Sequence, residues 1–156
     1  MDVGEYDRWQ QAAAEAARGA DLQAGAGLYH WAAFQYEQAA QLALKGLLHG
    51  LGRGPDAWGH DVSRLGDAVS RALAEPLGDR LAASLKRLAR HYIAARYPDA
   101  VPGEAPSAYY SREDAEAACA DAAAARAVVA EWWSGLLRAQ EEGPPEAPGE
   151  EAERER

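Results

Sequence analysis

The chain has 156 residues, 48% hydrophobic and 26% charged, the balance of one soluble globular domain with a core of its own. A formal net charge of −9 excludes a protein that holds nucleic acid or an anionic membrane by bulk charge. A single cysteine, Cys119, excludes an internal disulfide or a Cys-based zinc site and suits a small core residue. The charge is unevenly spread: the segment from Glu141 onward, with seven Glu and two Arg, carries −5 of the total. No apolar run approaches bilayer-spanning length, and "MDVGEYDRWQ" has neither the basic n-region nor the apolar h-region of a secretory signal. A cytoplasmic protein with no membrane contact is the expectation.

The hydrophobic pattern predicts helices only: an all-α, up-and-down bundle of about five helices over residues 1–142, followed by an acidic Pro/Glu-rich tail over 143–156 that is expected to be disordered. The first helix is expected from Tyr6 to Ala24. Trp9, Ala13, Ala16, Ala20 and Ala24 give it a seam of mostly small residues against which a neighbour can pack closely. Gly25 and Gly27 should end it. The second helix, from about Leu28 to Leu51, is apolar on two faces, the position of a central helix. One face holds Leu28, Trp31, Gln35, Ala39, Leu42 and Gly46. Lys45 is a lone cation among its apolar residues, placed to snorkel or to meet an anion or a carboxylate. "GLGRGPDAWG" reads as a loop; it lacks the Gly-Lys-Ser/Thr order of a phosphate loop.

His60 precedes Asp61, which is suited to cap a third helix with Val62, Leu65, Val69 and Leu73 facing inward. The fourth helix is expected from about Leu77 to Arg96, stopped at Tyr97 by Pro98. Leu77, Leu81, Leu85, Leu88 and Tyr92 form its apolar arc, and Arg80, Lys86, Arg87, Arg90 and His91 fall in another. Basic residues late in a helix also satisfy its macrodipole, so this stripe is either a solvated face or a phosphate site. His91 lies one turn after Arg87, where a neighbouring cation lowers imidazole basicity. "PDAVPGEAPSAYY" is a long Pro-rich connection, and "SRED" (Ser111 to Asp114) reads as a capping-box start to a last helix ending near Glu142. His30, His49, His60 and His91 lack the spacing of a metal motif, so no metal site and no cofactor is expected.

"YHWAAFQYEQAAQLALKGLLHGLG", "HDVSRL" and "YIAARYPD", in this order, resemble the second-helix, third-helix and helix-end segments of the HEPN domain family (higher eukaryotes and prokaryotes nucleotide-binding), along roughly Trp9 to Trp133. The resemblance implies a helical bundle, often a homodimer, that binds nucleotide or pairs with a minimal nucleotidyltransferase in a toxin-antitoxin-like module. Many members are metal-independent ribonucleases that use an Arg and a His separated by a short spacer. Here Arg87 and His91 have three residues between them, fewer than that spacer, and Arg53 and His60 have six but sit in the loop before the third helix. The leading expectation is therefore a nucleotide- or partner-binding module without chemistry of its own. The alternatives are a ribonuclease with an atypical Arg-His arrangement drawn from Arg87, His91, Arg96 and His60, or an adaptor with no nucleotide site. The anion-site residues are expected to be Lys45, His60, Arg80, Lys86, Arg87, Arg90, Arg96 and Tyr97. Adjacent Trp132 and Trp133 point about 100° apart on a helix, so one core should not bury both, which favours a homodimer.

Overall fold

The first helix, α1 (Val3–Gly25), begins three residues earlier than predicted because Asp2 caps it: its carboxylate accepts a hydrogen bond from the Glu5 amide at 2.9 Å. The Asp2 amide in turn donates to the Gly50 carbonyl, which ties the start of α1 to the end of α2 (Tyr29–Gly50). This computed structural model describes residues 1–142. The acidic segment 143–156 lies outside the described residues.

The predicted small-residue seam forms the contact between α1 and α2. Ala13 and Ala20 are fully buried, and α2 answers with Gly46, where an added Cβ would stand 2.7 Å from the Cβ of Trp9. Helix α2 is the central helix: thirteen of its 22 residues are buried, which no helix with one solvent face could achieve. Its N-terminal turn is its most exposed part: Leu28 and Trp31, expected inward, are exposed there.

Helix α3 (Val62–Leu73) starts where expected. Asp61 accepts from the amides of Ser63 and Arg64, and Val62, Leu65 and Val69 enter the core. Helix α4 (Asp79–Ala89) contributes Leu81, Leu85 and Leu88. The last helix, α6 (Arg112–Glu142), is about 46 Å long at 1.5 Å per residue and covers the other side of α2 with Ala115, Ala118, Ala122, Ala125, Val129 and Trp133. Its start is a reciprocal box: the Asp114 amide donates to Ser111 Oγ, and the Ser111 amide donates to the Asp114 carboxylate. The described residues thus form an all-helical up-and-down bundle of five main helices with no strand.

One element departs from expectation. The predicted fourth helix is not continuous to Arg96; it breaks at Arg90, and a single turn, α5 (His91–Ala94), follows. At the break the Arg90 amide bonds back to Arg87 instead of Lys86. No Gly or Pro marks the place. The two residues after it are held by different neighbours: His91 faces Tyr110 in the connection before α6, while Tyr92 faces α2 and the loop before α3. Just beyond α5, Arg96 lies over the Phe34 ring of α2.

Candidate functional site

Along α2, residues 34, 37/38, 41 and 45 follow the three- and four-residue spacing of one helix face. Phe34, Glu37, Gln41 and Lys45 occupy it. Glu37 is fully buried, although it carries a carboxylate. Its oxygens accept hydrogen bonds from Gln38 Nε2 (2.7 Å) and Gln41 Nε2 (3.1 Å). Burial pushes its pKa up to about 7, against the pull of those two amides and of nearby Arg96 and Lys45. Gln41 links the helix to the loop before α3: its Nε2 also donates to the His60 carbonyl (3.1 Å), and its Oε1 meets His60 Nδ1 at 3.2 Å. His60 lies flat on Tyr92, with ring centroids 5.0 Å apart and planes 11° apart.

Arg96 completes the face. Its guanidinium carbon sits 4.5, 4.4 and 4.9 Å from the ring centres of Phe34, Tyr92 and Tyr97, a cation surrounded by three aromatic faces. Its Nε donates to the Tyr92 carbonyl at 2.7 Å, which fixes the plane of the group. Among the described residues no carboxylate lies within ion-pair distance of Arg96 or of Lys45. Burial lowers the pKa of Lys45, against the opposing charge of Glu37. Phe34 and Lys45 are eleven residues apart, so the face extends about 16 Å along the helix axis at 1.5 Å per residue.

The structure therefore gathers four of the predicted site residues, Lys45, His60, Arg96 and Tyr97, along one face of α2. It places the others elsewhere. The Arg87 guanidinium makes two bonds to the Asp121 carboxylate of α6 (2.8 and 2.6 Å) and a third to Ser84 Oγ (3.1 Å), so its Nε and Nη2 donors are occupied and its planar fork already holds a carboxylate. Burial would raise the Asp121 pKa, but the hydrogen bonds from Arg87 and Ser84 outweigh it and the net shift is downward. His91 Nδ1 is 2.9 Å from the Tyr110 hydroxyl, and burial lowers its pKa. Burial pushes the Tyr110 phenol up to about 12. Arg80, Lys86 and Arg90 are exposed. Arg80 edges a groove of about 440 Å³ between α4 and α6, floored by Leu81, Ala124, Ala127 and Val128.

Sequence reasoning missed Glu37, Gln41, Phe34 and the role of Tyr92. The signal that could have found them was the run Glu37, Gln41, Lys45: polar groups every fourth residue along one face of a central helix, which must either be paired or line a site. Among the described residues no group of three or more His, Cys, Asp or Glu side chains is placed to hold a metal ion, and no helix is long and apolar enough to cross a membrane.

A family model for the HEPN domain matches residues 6–132. Two solved structures share the fold over nearly their whole length. TT1696 from Thermus thermophilus is 36% identical, with a TM-score of 0.74 over 81% of this chain and 96% of that one. ST0689, an archaeal HEPN homologue, is 28% identical, with a TM-score of 0.67 over the same shares. No curated protein matches the chain.

Proposed function

The chain belongs to the HEPN domain family, and from that premise we propose that it binds a nucleotide by its phosphate on the α2–α5 face and performs no chemistry of its own. The observation that carries this reading is Arg96: a guanidinium oriented by Tyr92 and held among three rings, whose terminal nitrogens meet no carboxylate among the described residues. A planar, fixed cation of this kind suits a phosphate oxygen pair. Lys45 supplies a second charge on the same face, without an ion-pair partner among the described residues. The absence of chemistry is supported by Arg87 and His91, the nearest approach to an Arg-His catalytic pair. Arg87 already holds the Asp121 carboxylate in a two-bond pair through Nε and Nη2, and His91 is turned to Tyr110.

The partner readings stand on other surfaces. Leu22, Leu28 and Trp31, 69%, 45% and 39% exposed, cluster at the α1–α2 turn and support a homodimer contact there. The cations of the α2–α5 face also suit carboxylates of a minimal nucleotidyltransferase partner. Titration with ATP and a short RNA at two ionic strengths tests the nucleotide reading. Wild type should bind, more weakly in high salt, and Arg96→Ala should weaken binding by about tenfold, or 1.4 kcal/mol. No binding at millimolar ligand would remove the nucleotide and leave the partner reading. RNA cleavage that persists in a chelator would overturn the non-catalytic reading.

A further inference from the structure

A cleft of about 180 Å³ opens where α2 meets the 3-10 turn Gly54–Ala57, lined by Lys45, Ala57, Trp58, Gly59 and His60. Its most unusual wall is Trp58. The indole is 92% exposed, more than any other large apolar side chain described, whereas Ala57 beside it is 5% exposed. Gly59, at φ +95°, turns the chain immediately afterwards, and that reversal leaves the ring standing out from the turn. A tryptophan so placed contributes nothing to the core. Lys45 lines the same cleft, half-buried and without an ion-pair partner among the described residues. The third wall, His60, is held by Gln41 and by its stack on Tyr92.

The cleft thus combines an uncovered aromatic face, a cation without a counter-ion and a fixed imidazole. A flat ring joined to an anion satisfies the first two together. The volume is below the usual range for drug-sized ligands and suits a single ring system. We propose that this cleft is the nucleobase pocket of the nucleotide site: the base stacks on Trp58 while a phosphate of the same ligand reaches Lys45. The inference rests on the nucleotide reading of the α2–α5 face and names what that face recognises, a nucleoside phosphate, free or at the end of a single strand. Stacking serves every base, so the pocket should discriminate little among them.

The test compares ATP, inorganic triphosphate and a 5′-phosphorylated trinucleotide by calorimetric titration of wild type, Trp58→Ala, Trp58→Phe and Arg96→Ala. Because Trp58 is almost fully exposed, Trp58→Ala should keep the wild-type thermal midpoint. Wild type should bind ATP or the trinucleotide at least about fivefold more tightly than triphosphate, the lower end of base-aromatic stacking. Trp58→Ala should erase that advantage and Trp58→Phe should retain most of it, and the tighter of the two base-carrying ligands identifies the source. Equal binding of triphosphate and ATP, or full affinity in Trp58→Ala, overturns the base pocket. If Arg96→Ala still weakens all ligands in that case, the phosphate face survives; if wild type binds none of the three, both readings fall.

Discussion

Glu37 is the residue on which the electrostatics of the site turn. Its pKa, 4.5 in the unfolded chain, rises to about 7 in the fold because burial outweighs two amide hydrogen bonds and two nearby cations. A carboxyl raised in this way stays protonated in the fold when the unfolded chain has already released its proton. Relative to the unfolded chain, the fold therefore keeps its full stability below pH 4.5, loses it progressively as pH rises towards 7, and changes no further above that. The loss amounts to at most about 3 kcal/mol. Glu37→Gln should flatten this part of the profile, so its thermal midpoint should gain on wild type between about pH 5 and pH 8. Parallel profiles for the two proteins would show that Glu37 does not titrate there. The same residue links pH to ligand. An anion that neutralises Arg96 and Lys45 removes the cations that favour ionised Glu37, so binding takes up a proton and should weaken as pH rises through about 7. That slope should be absent in Glu37→Gln.

At the scale of elements, what the sequence revealed and what it hid have separate causes. Helix ends announced by side chains were legible: Asp61 and the Ser111–Asp114 box cap as their types demand. The break at Arg90 was not, because it is imposed by Tyr110 on one side and by α2 and His60 on the other, all distant in sequence. For the same reason the basic stripe of the fourth helix read as one surface, whereas Arg87 is paired with Asp121, thirty-four residues away. Removing that pair should therefore cost stability and spare the site. Arg87→Ala should lower the thermal midpoint by a few degrees, with ATP affinity unchanged. A large loss of affinity without loss of stability would return Arg87 to the binding face. The α1–α2 contact makes a second demand that periodicity only half expressed. Gly46→Ala would press a Cβ to 2.7 Å from Trp9 Cβ, a carbon that cannot swing aside. It should destabilise by about 1–3 kcal/mol, read as a lower denaturant midpoint with unchanged slope.

For the whole molecule, the helical bundle was legible because every long segment repeats at the helical period, and the two apolar faces of α2 identified it as the centre. The site was only partly legible. Lys45, His60, Arg96 and Tyr97 were visible as residue types, but their convergence depends on the packing of α5 and the residues after it against α2. The tryptophan pair also resolved differently from expectation. Trp133 is buried against Tyr6, with ring centroids 4.1 Å apart, and Trp132 is half-buried beside Leu73 and Leu136. The exposed tryptophans are Trp31 and Trp58 instead. The homodimer proposal accordingly moves from α6 to the α1–α2 turn, where Leu22→Glu should convert a dimer into a monomer in sedimentation at micromolar concentration. A wild-type protein that sediments only as monomer would end that proposal.

The central claim is that the α2–α5 face, and not the α4 basic stripe, receives a phosphate. A crystal structure of the protein grown with millimolar ATP tests it most directly. The expected result is phosphate oxygens within hydrogen-bond distance of the Arg96 terminal nitrogens, with Arg87 still bonded to Asp121. ATP seated in the α4–α6 groove beside Arg80, or Arg87 released from Asp121 to hold the phosphate, would contradict it.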